Sequence, residues 1–194
     1  MRHLRLFVAV NFPDKIKQSL GFLIQNLRSM PSDASWVREE NIHITIQFLG
    51  NVPEDQINAI VNALNRSVTG IVPFHLELRG AGVFPSAERP RVLWLGVSGD
   101  TPVLFRLRQQ VQKELELLYF KPEGRRFSPH LTLARIRSPL GFSPVLERAQ
   151  RLMQDNGKKI VSTAVNSIEL MQSDLKPGGP KYFVLARVPF PGTR

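Results

Sequence analysis

The chain lacks cysteine altogether across its 194 residues. Disulfides, thiolate nucleophiles and Cys-based zinc or iron–sulfur sites are therefore excluded outright, and the absence fits a reducing compartment. Long apolar runs are also missing. The opening MRHLRLFVAVNF holds only about six consecutive apolar residues, short of a secretory core with its cleavage site, and nothing approaches the roughly 20 residues that span a bilayer. Acidic residues are scarce beside basic ones: 16 Asp and Glu face 26 Lys and Arg, a formal charge of +10. That balance attracts polyanions, nucleic acid before anionic membrane. With 42% hydrophobic and 22% charged residues, the chain has too few charges and too many large aliphatics for disorder. The expectation is a soluble cytoplasmic protein with a sizeable core.

Strands are predicted near 5–10, 42–49, 74–82, 91–97, 130–136, 165–172 and 181–188, each rich in Val, Ile, Leu or Phe and bounded by Gly, Pro, Asn or Asp. Helical periodicity fills the gaps. Ile16, Leu20, Leu23, Ile24 and Leu27 share one stripe; Ile57, Ile60, Val61 and Leu64 make a second; Leu104, Leu107, Val111, Leu115 and Leu118 make a third behind a Thr-Pro start at 101. A weaker fourth helix follows Pro144.

The order of these pieces repeats. RLFVAV and RVLWLGV each lead into a Pro-opened helix and then a histidine strand, HITIQFLG at 43–50 and HLTLARIR at 130–137. The spacing is 38 residues from Arg5 to His43 and 39 from Arg91 to His130, and the two histidines are offset by 87. LELRGAGVFP ahead of RPRVLWLGV is likewise similar to IELMQSDLKP ahead of PKYFVLARV. The reading is one domain over 1–194 made of two pseudo-symmetric halves with a break near Arg89, packed about an approximate two-fold axis that brings the histidine strands face to face.

In a strand, side chains alternate between faces, so His43, Thr45 and Gln47 oppose the apolar Ile44, Ile46 and Phe48, while His130 and Thr132 oppose Leu131 and Leu133. Each strand then offers an imidazole and a hydroxyl about 7 Å apart. A phosphodiester suits such a set: one histidine deprotonates the nucleophile, the other protonates the leaving oxygen, and threonine hydroxyls hold the non-bridging oxygens. A lone strand histidine beside a threonine is more often structural than catalytic; the equivalent second copy is what favours chemistry. A metal site is the other functional reading, but neither motif carries a second histidine at ligand spacing or a carboxylate within two residues, and zinc takes three or four protein ligands. His3 and His75 lack the His-x-Thr context and read as surface or strand-edge residues.

WVREENIHITIQFLG (36–50) and RRFSPHLTLARIR (125–137) closely resemble the two signature segments of the 2H phosphoesterase superfamily, and within it the RNA 2′,3′-cyclic phosphodiesterases, also called 2′-5′ RNA ligases. The resemblance extends to RLFVAVNFP, the duplicated layout and the total length. It implies an α+β, bilobal fold with two antiparallel sheets lining a central cleft and helices outside. The implied activity is cofactor-free and metal-free hydrolysis of an RNA 2′,3′-cyclic phosphate to a 2′-phosphate end. Carried onto this chain, it makes His43 the general acid for the departing 3′ oxygen, His130 the general base for water, and Thr45 and Thr132 the phosphate donors. Phe48 and Arg135, each five residues after its histidine, would flank the terminal base by stacking and cation–π contact. Strict alternation puts both on the core side, so a twist or bulge must turn them into the cleft. By the same alternation Gln47 should face the cleft. Arg38, Arg126 and Arg137 are candidates for an anionic rim. Ser128 stands where the family often has another polar or histidine residue.

Three functions stay open on the sequence: the cyclic phosphodiesterase, its reversal as a 2′-5′ ligase joining the cyclic end to a 5′-hydroxyl, and a non-catalytic RNA-end-binding module. The expected partner is an RNA end, tRNA fragments included, bound by a monomer with no membrane involvement.

Overall fold

The computed structural model describes residues 2–124, 126–154, 161–177 and 179–192. Within them the strands are β1 (His3–Asn11), β2 (Ala34–Trp36), β3 (His43–Pro53), β4 (Phe74–Phe84), β5 (Val92–Gly99), β6 (His130–Ile136), β7 (Val161–Val165), β8 (Ser167–Lys176) and β9 (Gly179–Pro189), and the helices are α1 (Asp14–Arg28), α2 (Ile57–Ser67), α3 (Thr101–Glu116) and α4 (Ser143–Gln154). All pairings are antiparallel. One sheet runs β3-β1-β8-β9 and the other β2-β6-β5-β4-β7, giving the α+β, two-sheet architecture the sequence predicts.

Hydrophobic burial decides how each element sits. Central β1 is buried on both faces. Leu4, Leu6, Val8 and Val10 enter the main core, while Phe7 and Ala9 join Met171 in a small second cluster against Tyr182. The helices bury single stripes, Leu20, Ile24 and Leu27 on α1, Ile60 and Leu64 on α2, and Leu104, Leu107, Val111 and Leu115 on α3. α2 packs on α3, α3 also touches β3, and α4 covers β4.

Boundaries differ from the predicted ones where turn chemistry intervenes. β3 runs on to Pro53 and a 3-10 turn at Glu54–Gln56 follows, so α2 starts at Ile57, the first residue of the predicted stripe. Asp100, not Thr101, holds the position before α3. The strand predicted at 165–172 divides into the end of β7 and the body of β8, and three-residue β2 has too short a pattern to stand out. Both sheets mix strands from either side of residue 89, because β4 pairs with β5 and β1 with β8. Among the described residues no helix is long and apolar enough to cross a membrane.

Candidate active site

The two histidine strands come together as neighbours, β3 from the edge of its sheet and β6 from one strand inside its own, and the sheets line the cleft between them. His43 and His130 each open their strand, and each ring is fixed the same way. Nδ1 of His43 lies 2.7 Å from the Asn41 carbonyl and Nδ1 of His130 lies 2.8 Å from the Ser128 carbonyl. A carbonyl only accepts, so Nδ1 carries the hydrogen in both rings and Nε2 is left for chemistry. At position 128 it is the main-chain oxygen, not the serine side chain, that positions the ring.

Both strands then carry a β-bulge at the same place. Ala9 lies opposite Thr45 and Val8 opposite Gln47, making Ile46 an extra residue; Trp94 lies opposite Thr132 and Leu93 opposite Ala134, making Leu133 one. The extra residue reverses the alternation beyond it. Phe48 is consequently 52% exposed and Arg135 is exposed, although parity alone sends both to the core. Phe48 approaches Phe7 at 6.1 Å between ring centroids, and Arg135 is near enough to act electrostatically on His43 and Tyr182. The expectation for Gln47 is overturned by the same bulge: the residue is fully buried, away from the cleft, and neither amide atom has a partner.

The surroundings of the two histidines differ. Phe7 and Tyr182 wall the His43 ring at 5.0 and 5.2 Å, whereas Phe84 stands edge-on to His130 at 5.1 Å with Trp94 behind it. Burial of the His43 ring pushes its pKa down to about 4; the Asn41 hydrogen bond opposes this, and the positive charge of Lys17, His130 and Arg135 adds to it. His43 is thus neutral at pH 7. Its Nε2 accepts a hydrogen bond from the Thr45 hydroxyl, 3.0 Å away. Burial likewise raises the Tyr182 phenol, against the pull of Arg135 and Arg5.

Thr45 and Thr132 are half-buried on the faces of their histidines. Arg137 pairs with Asp33 at 3.2 Å and Arg38 with Glu40 at 4.0 Å, while Arg126 lines a hollow with Phe105, Arg108 and Phe127 that reaches Ser128 and Pro129 next to His130. His3 and His75 are exposed strand residues. Among the described residues no group of three or more His, Asp or Glu stands close enough to hold a metal ion.

Sequence reasoning overlooked the aromatic wall and the backbone acceptors. The signal was present, since Phe7 and Trp94 carry the same 87-residue offset as the histidines, and Asn41 and Ser128 both precede them by two residues. Tyr182 left no such trace. It reaches His43 because Asn41 Nδ2 donates to the Pro180 carbonyl at 2.7 Å and ties the start of β9 to the histidine strand. Glu123 was missed as well; its carboxylate accepts from the Phe48 N–H at 3.1 Å.

A cleft with two histidines fixed through Nδ1, each followed by a threonine, defines a candidate acid–base centre for phosphoester chemistry. The family model described as LigT like Phosphoesterase matches the chain twice, over residues 10–94 and 95–182, and the chain belongs to this family. Its relatives named RNA 2′,3′-cyclic phosphodiesterase include those of Thermotoga maritima, 33% identical over 97% of both chains, and Aeropyrum pernix, 41% identical over 78% of this chain and 84% of that one. Among solved structures, TT0787 of Thermus thermophilus superposes with a TM-score of 0.78 at 26% identity, covering 98% of this chain and 100% of that one. Escherichia coli LigT complexed with 3′-AMP shares the fold, with a TM-score of 0.74 at 24% identity over 98% and 99%.

Proposed function

We propose that this protein hydrolyses the 2′,3′-cyclic phosphate end of RNA to a 2′-phosphate end, using His43 and His130 as its acid–base pair and no metal. The observation that carries the reading is the matched fixing of both imidazoles through Nδ1 on two equivalently bulged strands, together with relatives that bear the activity's name.

In the proposed reaction His130 Nε2 takes a proton from water, the water oxygen bonds to phosphorus, the bond from phosphorus to O3′ breaks, and O3′ receives the proton of His43 Nε2. Thr45 and Thr132 donate to the non-bridging oxygens and hold phosphorus in line. His43 has to gain its proton before it can act as the acid, and the substrate supplies the means. An anionic phosphate favours the imidazolium, and by drawing the Thr45 hydroxyl hydrogen to itself it frees Nε2 to carry a proton toward the leaving oxygen. Phe48 and Arg135, turned outward by the bulges, flank the terminal base, and Tyr182 extends that wall. The double family match supports duplication of one unit over 1–194, with the break near Arg89 in the β4–β5 connection. Both histidines belong to one chain, which supports a monomeric working unit, and relatives named RNA 2′,3′-cyclic phosphodiesterase support an RNA end as substrate; the proposed setting is the cytoplasm, with tRNA fragments among the RNA ends acted on.

The test is incubation of an oligonucleotide ending in a 2′,3′-cyclic phosphate with the protein in chelator. A 2′-phosphate product is expected, and His43→Ala or His130→Ala should abolish turnover; activity retained in either variant, or lost to EDTA, rejects the scheme. A substrate with sulfur at the 3′ bridging position assigns the roles. Its thiolate leaves without a proton, so turnover should return in His43→Ala but not in His130→Ala.

A further inference from the structure

Beyond the catalytic row, where β1 and β8 part past the Leu6–Gln172 pair, lies an open groove of about 590 Å³ that nothing in the reaction above uses. β1 sets the geometry. Leu4, Leu6 and Val8 point into the core, so Arg5 shares the cleft face with Phe7, and Phe7 touches His43. Arg5 lies two residues further along the strand, about 7 Å from Phe7, which is the scale of one nucleotide step. Its guanidinium also acts on Tyr182, the ring that stands against His43. Arg5 thus belongs both to the groove and to the charged surroundings of the ring that stands against His43.

The lining has the chemistry of a phosphate track. Arg2 and Arg5 are exposed, and neither has an ion-pair partner among the described residues. Lys176 is held by Asp174 at 2.9 Å, so that pair adds little net charge. Asn51 and Gln172 supply neutral donors between them. Two free guanidiniums, Arg5 two strand residues from Phe7 and Arg2 about 10 Å further along, beside a site that takes an RNA end match the backbone of the nucleotides upstream of that end.

We propose that the groove formed by Arg2, Arg5, Asn51 and Gln172 binds the backbone phosphates of the nucleotides immediately upstream of the cyclic end, so that this protein selects oligonucleotides over mononucleotides. The proposal rests on reading the cleft as the site of an RNA end. It leaves the base wall out: the groove reads phosphate and carries no base preference.

The experiment compares kcat/KM for a nucleoside 2′,3′-cyclic monophosphate with that for a tetranucleotide carrying the same cyclic end, in the wild type and in Arg2→Gln/Arg5→Gln. The ratio of tetranucleotide to mononucleotide efficiency should fall about tenfold in the variant, through KM, and Arg2→Lys/Arg5→Lys should recover most of it, since a phosphate accepts either charge. The salt dependence of tetranucleotide binding should flatten by about 1.4 in log–log slope, from roughly 0.7 per lost single-strand phosphate contact. An unchanged ratio overturns the proposal, as does an equal loss on both substrates. Binding of a tetranucleotide ending in a 2′-phosphate, followed by fluorescence anisotropy, probes the groove without turnover: affinity unchanged in the glutamine variant overturns it, even for a protein that proves inactive on every cyclic end. Failure of the catalytic reading and failure of this one are thereby separated.

Discussion

Filling the site with phosphate should put a proton on His43. Burial holds this imidazole down to about 4, with Lys17, His130 and Arg135 adding positive charge around it and the Tyr182 phenol neutral beside it. One negative charge about 5 Å from Nε2, at an effective dielectric constant of about 20, interacts with the imidazolium by about 3 kcal/mol, which is equivalent to a little over two pK units. That interaction cancels most of the depression and returns His43 to the ordinary histidine range. The assay is a long-range proton–nitrogen spectrum of the histidine rings between pH 4 and 8, with and without a dinucleotide ending in 2′-phosphate, the His43 signals being those that vanish in His43→Gln. Without ligand His43 should stay neutral, with hydrogen on Nδ1, down to about pH 5. With ligand it should titrate near neutrality, and affinity should strengthen as pH falls from 7 toward 5. A free-protein titration near the ordinary histidine value would show that burial does not govern the ring. A ligand-bound ring that stays neutral at pH 6 would refute its use as the acid.

Stability should carry the same signature. Because the folded pKa of His43 lies below its unfolded value of 6.5, the unfolded chain binds a proton the native state lacks between about pH 6.5 and 4; this residue's contribution is complete above that window and is lost as pH falls through it, by up to about 1.4 kcal/mol per pH unit. Urea midpoints of His43→Gln should therefore fall less steeply with acid than those of the wild type. Phe48→Ala removes a ring that is already 52% exposed, so stability should move by less than about 1 kcal/mol, while kcat/KM on an RNA end drops about tenfold from lost stacking; thermal melts and initial rates read the two separately. Gln47→Met replaces a sealed amide without partners by an apolar chain of similar length and should raise stability by about 1 kcal/mol in urea titration, where a loss would reveal a hidden partner for the amide.

The strands and helices were legible because their apolar periods are strong, and the pairing of the two histidine motifs was legible because duplication copied a spacing as well as a spelling. Register within those strands was another matter. Alternation assigns Phe48 to the core and Gln47 to the cleft, and the structure exchanges them; nothing local in ITIQF announces an extra residue, because a bulge is fixed by how the neighbouring strand pairs. Tyr182 illustrates the same limit at longer range. Its place beside His43 depends on a side-chain bond from Asn41 to a carbonyl 139 residues away, a contact with no periodic signature. The depressed pKa of His43 was illegible for this reason too, since the rings that bury it come from β1 and β9.

The two bulges explain how each histidine strand turns a third side chain to the side of its imidazole and hydroxyl. A regular strand would place the histidine, the threonine and the residue two beyond on one face and send the fifth residue after the histidine inward. One extra residue after each threonine keeps the spacing from imidazole to hydroxyl intact and brings Phe48 or Arg135 round to the same side. The displaced position must then be buried. In β6 it is Ala134, which suits the core, whereas in β3 it is Gln47, whose amide finds no partner there. The unpaired amide is thus the local cost of a geometry that lines an imidazole, a hydroxyl and an outward-turned Phe48 or Arg135 along one wall of the cleft, and its equivalent in the other half shows that the geometry itself does not demand a polar residue.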